Sequence, residues 1–128
     1  MKQELAKALK TLLSGTTNAS TRVYYLIAPD NPTFPYIIWD WVNEGDDNDN
    51  PHRAKNVVTF IRAYAETATA ADVIDGQIDT LLHNQVLTIT GWSNFQTQRE
   101  DGFNLVETDD PKRKIYMSGA NYRIRADQ

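Results

Sequence analysis

The chain has 128 residues, with 41% hydrophobic and 23% charged side chains and a net charge of −4. These values are those of one globular domain, so we expect residues 1–128 to form a single domain. The acidic balance argues against a general binder of nucleic acids or anionic membranes. The absence of cysteine excludes disulfides, thiolate metal sites and cysteine nucleophiles, and is typical of a reducing compartment.

Near its beginning the chain lacks the apolar stretch of a secretory signal. Glu4, Lys7 and Lys10 interrupt the N-terminal segment. No apolar run approaches the ~20 residues of a membrane span. We therefore expect a chain that stays in the cytoplasm of the cell that makes it.

The first half of the chain predicts one helix and three strands. Leucines at three- and four-residue spacing predict a helix over about residues 2–14, ended by Gly15. Aromatic and β-branched residues predict strands over 22–28, 36–42 and 56–65. Residues 43–55 have no apolar periodicity and are rich in turn formers, which predicts an exposed, mobile loop.

The second half predicts one more helix and up to four strands. Thr69 begins the helix, which runs to His83 and carries Asp75 on its solvent-facing side. Strands are predicted over 86–90, 95–100, 103–107 and 114–125, with a hairpin turn at residues 101–102. In the last strand, Tyr122 and Ile124 should point inward.

These elements predict the fold class. Because helices and strands do not alternate, a doubly wound parallel sheet is disfavoured. We expect an α+β fold in the order α-β-β-β-α-β-β-β. Its mixed, mainly antiparallel sheet should carry two helices packed on one face.

No pattern for catalysis or metal binding is complete. Asp46, Asn48 and Asn50 imitate the first ligands of a calcium loop, but Pro51 and Val57 occupy the positions that require Gly and Glu. The sequence has no G-x-S-x-G motif and no glycine-rich phosphate loop. The best single carboxylate, Asp40 between two tryptophans, is more simply a polar residue on an outer strand face. We expect no catalytic residue, no bound cofactor and no metal.

The order of the segments carries more information than any one motif. A leucine-striped helix leads to T-R-V-Y, a proline-rich connector leads to F-P-Y-I-I, and a polar segment leads to T-F-I-R-A-Y-A. An alanine-rich helix follows, and the chain closes with D-D-P and a Tyr-x5-Tyr-x-Ile strand. The quoted segments are residues 21–24, 34–38, 59–65, 109–111 and 116–124. In this order the chain resembles the tail-completion, or tail-terminator-like, proteins of phages and prophages; residues 91–105 and the acidic segment 43–50 depart from that pattern.

The resemblance implies a structural protein of virion assembly, acting in the bacterial cytoplasm and then in the tail. Such proteins form a ring, typically hexameric, at the head-proximal end of the tail tube. The ring ends tube growth and joins the tail to the head connector, and DNA passes through it without sequence-specific binding. A head-closure or adaptor protein of the same neck is one alternative. A small-ligand-binding α+β domain that uses Asp40 is another.

Two sets of residues are candidates for contacts in such an assembly. Outer-face apolar residues are candidates for subunit contacts: Tyr24, Tyr36, Ile38 and Phe60. Acidic residues of the 43–50 segment are candidates for a loop that faces the channel or docks a partner: Glu44, Asp46, Asp47 and Asp49. An ordinary second hydrophobic cluster is the alternative for the first set.

Overall fold

A computed structural model describes residues 2–30, 32–49, 52–110 and 113–127. It contains two helices and six strands in these residues. They are α1 (Lys2–Leu13), β1 (Val23–Tyr25), β2 (Tyr36–Asp49), β3 (His52–Ala65), α2 (Ala68–Leu82), β4 (Thr88–Ile89), β5 (Trp92–Asp110) and β6 (Arg113–Asp127). The α+β class is confirmed, with the sheet as the dominant part.

The six strands form one sheet in the order β1-β2-β3-β6-β5-β4. β1 runs parallel to β2, and the other neighbouring pairs are antiparallel. The two outermost strands are short, with three residues in β1 and two in β4. The sheet curls into a half-barrel. The β2–β3 and β5–β6 hairpins therefore end at opposite ends of the sheet.

The main core lies between one face of the sheet and both helices. Leu5, Leu9 and Leu13 of α1 repeat every four residues and are fully buried. Alternation along the strands brings a continuous set of side chains against them. These include Ile37, Trp39, Val57, Ile61, Ala63, Ala120, Tyr122 and Ile124, together with Ile74, Ile78 and Leu82 of α2. The inward direction of Tyr122 and Ile124 is thus confirmed. Each large side chain buried here contributes about 1.5–3 kcal/mol.

The loop predicted for residues 43–55 is wrong. Residues 43–49 continue β2, residues 52–55 begin β3, and the two pair antiparallel as far as Asp49 with His52. Backbone pairing extends the hairpin although the sequence has no apolar face. A register shift between Trp41 and Asn43 marks where the hydrophobic part of β2 ends.

The turn predicted at residues 101–102 is also wrong. β5 is one strand of 19 residues, and the irregularity at this point is a register shift between Arg99 and Gly102. The continuous partner β6 provides hydrogen bonds on both sides of this bulge, so the chain need not reverse. The first turn of α2 is capped by Thr67, whose hydroxyl accepts a hydrogen bond from the Ala70 amide, and not by Thr69.

Candidate interaction surface

In the described part of the chain, the second face of the sheet carries no helix, and it holds the predicted contact residues. Alternation sends the side chains of Tyr36, Ile38 and Phe60 to this face, opposite Trp39 and Ile61. One row of cross-strand neighbours crosses it from β1 to β5: Tyr24, Ile38, Arg62, Gly119 and Phe103. All four predicted contact residues therefore lie on one helix-free face.

Tyr36 is the centre of an aromatic cluster on this face. Its ring stacks on Tyr64, with centroids 5.2 Å apart, and contacts Phe34 at 5.1 Å and Tyr24 at 6.2 Å. Tyr36 and Ile38 are only 6% and 8% exposed. These two residues thus stabilise the chain itself, while Tyr24 and Phe60 keep more of their surface accessible.

Asp40 has a partner on the same face. Its carboxylate accepts a hydrogen bond of 3.1 Å from the Arg62 guanidinium, which also donates to the Tyr64 hydroxyl at 3.0 Å. The guanidinium carbon lies 4.9 Å from the centre of the Phe60 ring, within range of a cation–π contact. Phe60 in turn meets Phe103 edge to face at 5.6 Å. Asp40 therefore anchors a polar–aromatic cluster.

Gly119 allows this cluster to pack against the sheet. A Cβ atom at this position would lie 2.6 Å from the Arg62 Cβ and 2.6 Å from the Ile61 carbonyl oxygen. Arg62 and Phe103 flank the position on the neighbouring strands. The close approach of β6 to β3 thus requires glycine here.

A buried polar network on the helix side of the sheet was not predicted. Arg99 donates to both carboxylate oxygens of Asp75, at 3.1 and 2.8 Å, and to the Tyr122 hydroxyl at 3.1 Å. Ser118 donates to the same carboxylate at 3.2 Å. Asp75 was expected to face solvent but is buried. The sequence contains one indication that Asp75 is buried. It lies three residues before Ile78, which is buried, and residues three apart share a helix face.

The network shifts two pKa values. Hydrogen bonding to Asp75 raises the pKa of the Arg99 guanidinium above its ordinary value, so this group stays charged. Burial raises the pKa of the Tyr122 phenol, and the nearby Arg99 opposes that effect only in part. The hydrogen bonds of this network therefore link α2 to β5 and β6.

The acidic residues of segment 43–50 lie along the β2–β3 hairpin. Glu44 accepts a hydrogen bond of 2.8 Å from the Lys55 ammonium on the paired strand. Asp46 and Asp47 pair through their backbones with Lys55 and Ala54, and Asp49 pairs with His52. The side chains of Asp46, Asp47 and Asp49 lie outside the described part of the structure. Their role stays a prediction.

Two apolar patches occupy the two edges of the sheet. At the β1 edge, Tyr25, Leu26 and Ile27 are 47%, 55% and 78% exposed. At the β5 edge, Phe103, Leu105 and Val106 are 45%, 49% and 55% exposed. We call these two sets the β1 patch and the β5 patch. Exposed apolar side chains grouped in this way are typical of interaction surfaces.

A shallow groove of about 620 Å³ runs between α1, α2 and the segment before β5. Its lining includes Leu12, Leu81, Leu87 and the exposed Val86. Among the residues that the structure describes, no three His, Asp or Glu side chains are grouped to hold a metal ion. Within the same residues, neither helix is long and apolar enough to cross a membrane.

The profile of the tail completion protein gp17 family matches residues 3–126. The chain belongs to this family. It is therefore a structural protein of phage tail assembly, and the matched range includes residues 91–105, which the motifs alone did not cover. No curated protein matches the chain in sequence.

Solved structures share its fold, among them two that match nearly the whole chain. One is a chain from the virion of a native gene transfer agent particle, with a TM-score of 0.67 and 15% identity; the match covers 99% of this chain and 91% of that one. The second has a TM-score of 0.62 and 12% identity, and the match covers 100% of this chain and 96% of that chain. At these identities the likeness describes the fold and not the partners.

Proposed function

We propose that this protein forms a homo-oligomeric ring, six-fold in symmetry, at the head-proximal end of a phage tail tube. The ring ends tube growth and joins the tail to the head connector. The observation that carries the proposal is the family match, which spans nearly the whole chain. The likeness of the fold to a chain from a phage-like particle supports it.

The surfaces described above suit such a ring. Tyr24 and Phe60 offer accessible aromatic surface for subunit contacts, and Tyr36 and Ile38 support them from below. The tail-tube protein and the head connector would meet the two ends of the sheet, where the hairpins project. DNA would pass through the ring without sequence-specific binding, because a chain of net charge −4 offers few phosphate contacts.

The acidic hairpin has two possible positions in this ring. Facing the channel, Glu44, Asp46, Asp47 and Asp49 would repel DNA and keep its passage fast. Facing outward, they would dock the head connector. Both positions give the hairpin a function that depends on charge, since four carboxylates lie within six residues.

Electron microscopy of particles that lack this protein tests the proposal. We expect overlong tail tubes that are not attached to full heads, and we expect the wild-type gene supplied in trans to restore joined virions. Tubes of normal length that fail to join would instead indicate a neck protein that closes the head. Normal virions would end the proposal altogether.

The oligomeric state of the purified protein provides a second measurement. We expect size-exclusion chromatography with light scattering to detect the ring, either alone or after addition of purified tail tubes. A monomer at high micromolar concentration that is unchanged by tubes would contradict the ring.

A further inference from the structure

We propose that neighbouring copies of this protein join head to tail through the β1 patch of one copy and the β5 patch of the next. The inference deepens the ring of the proposed function and rests on it. In this inference each patch is covered by a second copy of this chain. The patches would form the two sides of a single repeated contact.

The strand order places the patches at opposite edges of the sheet. β1 is the outermost strand at one edge. At the other edge, within the described part of the chain, β4 is the strand beyond β5 and pairs only with Trp92 and Ser93. The outer side of β5 at residues 102–106 is therefore open for backbone pairing or side-chain contact.

Tyr24, beside the β1 patch, and Phe103 of the β5 patch lie at the two ends of one row of cross-strand neighbours on the helix-free face, whereas Tyr25 faces the helix side and contacts Trp39 at 4.7 Å. Four strand spacings separate Tyr24 from Phe103, about 19 Å along the row. A closed ring built from one kind of contact needs two different surfaces on each subunit, and the two edges of this sheet provide them.

The charge pattern favours a second copy as the occupant. Residues 23–29 and 102–106 contain no charged side chain, although the chain as a whole carries a charge of −4. Two copies can bring these segments together without desolvating a charge or opposing two carboxylates. Elsewhere on the surface, like charge would oppose self-association.

Leu26 presents the most unusual backbone conformation of the β1 patch. Its φ angle of 67° is in the left-handed region, which is unfavourable for leucine. The side chain held there is also more than half exposed. The Leu26 amide donates to the Trp39 carbonyl oxygen at 3.0 Å and the Ile27 amide donates to the Tyr25 carbonyl oxygen at 2.8 Å, so this turn joins the end of β1 to β2. The turn holds the Leu26 side chain in solvent, where a neighbour in the ring would bury it.

Cross-linking tests the contact, because the chain has no cysteine of its own. We would place Ile27→Cys and Leu105→Cys in one chain and treat the protein with a short bis-maleimide. The test uses the purified protein at high micromolar concentration and purified tails in which the variant is the sole copy. We expect a ladder of covalent species that ends at the closed ring.

The single variants distinguish a head-to-tail contact from a symmetric one. Ile27→Cys alone and Leu105→Cys alone should remain monomeric on denaturing gels, and their mixture should stop at covalent dimers. The control chain combines Val73→Cys, on the exposed side of α2, with Leu105→Cys and should give no ladder. Val106→Cys replaces Leu105→Cys if that variant lowers the melting temperature.

Three results would overturn the inference: efficient self-cross-linking of a single variant, a ladder from the Val73 control, or no ladder from either double variant in tails that contain the protein. The deletion phenotype separates this failure from failure of the proposed function. Overlong, unjoined tubes without cross-linking would leave the tail role intact and remove this contact. A ladder from a protein whose deletion has no effect would retain the contact and remove the tail role.

Discussion

Arg99 of β5 holds Asp75 of α2 through two hydrogen bonds, of 3.1 and 2.8 Å, across the layer between helix and sheet. The two side chains are 25% and 13% exposed, so the pair is only partly screened by water. A paired guanidinium and carboxylate in such a place stabilise mainly by avoiding an isolated charge. The pair therefore fixes where α2 lies on β5 and β6.

Removing one partner of this pair should cost more than removing both. Asp75→Leu leaves the Arg99 charge in place and should lower the free energy of unfolding by about 2–4 kcal/mol. The double variant Asp75→Leu with Arg99→Met removes the charge as well and should recover much of that loss. Urea unfolding of the two single variants and the double variant measures the coupling. Simple additivity of the single effects would contradict this role.

The buried phenol of Tyr122 predicts a loss of stability in alkali. Its pKa is raised in the folded chain because burial disfavours the phenolate. The unfolded chain releases this proton near pH 10, whereas the folded chain keeps it. Below pH 10 both states keep the proton, and the stabilisation by the neutral phenol is fully present. Above pH 10 the free energy of unfolding falls by up to about 1.4 kcal/mol per pH unit, until the pH reaches the pKa of Tyr122 in the folded chain.

Tyr122→Phe removes this dependence. At pH 8 the variant should be less stable than the wild type by about 1 kcal/mol, because the hydrogen bond from Arg99 is lost. The difference should shrink between pH 10 and pH 11, which urea unfolding at several pH values measures. Tyr25→Phe changes an exposed side chain and should keep the wild-type slope. Parallel pH profiles of the wild type and Tyr122→Phe would refute this explanation.

Gly119 should tolerate no side chain. In Gly119→Ala the new methyl group would overlap the Ile61 carbonyl oxygen and the Cα of Arg62, which are backbone atoms that cannot rotate away. We expect a loss of about 3 kcal/mol or more and a melting temperature lower by about 10 °C. Gly45→Ala, in β2 with open space around the new methyl group, is the matched control and should melt near the wild type. Equal melting temperatures for the two variants would show that β6 can move away from β3.

Alternating patterns identified the faces of the sheet, whereas features that depend on distant partners remained hidden. Residues 36–42 and 56–65 contain a clear two-residue period, and the outer-face residues Tyr36, Ile38 and Phe60 were predicted from it. Residues 43–55 have no such period, because their strand structure comes from backbone pairing across the hairpin. Asp75 resembles a solvent-facing residue until Arg99, 24 positions later, provides its partner. The open edges of the sheet could not be predicted either, because they arise from the small number of residues in β1 and β4 that pair with the neighbouring strands.

Replacement of Gly76 should make the folded protein more stable. Gly76 lies inside α2, and a Cβ atom there would meet nothing within 4 Å. Gly76→Ala should raise the free energy of unfolding by about 0.5–1 kcal/mol, since alanine loses less backbone entropy in a helix. Thermal unfolding measures this shift, and the oligomeric state should not change. A destabilised variant would show that the exposed side of α2 packs against something in solution.

Neutralising the acidic hairpin should separate its two possible positions in the ring. A variant with Glu44→Gln and with Asp46, Asp47 and Asp49 each changed to Asn should fold normally. If the hairpin faces the channel, joined particles should form but release DNA more slowly, and more so at low salt, where charges are less screened. If it docks the connector, free tails and full heads should accumulate while the particles that do join deliver DNA at the normal rate.

A charge-matched variant elsewhere on the surface controls for the change in net charge. Asp30→Asn, Glu66→Gln, Asp72→Asn and Asp101→Asn alter four exposed side chains away from the β2–β3 hairpin and should leave joining and delivery unchanged. Particle counts by electron microscopy and DNA release triggered in solution measure the two steps separately. Normal joining together with normal release in the hairpin variant would remove both roles. The same defect in both variants would assign the effect to overall charge, because only a local role requires the carboxylates to lie on this hairpin.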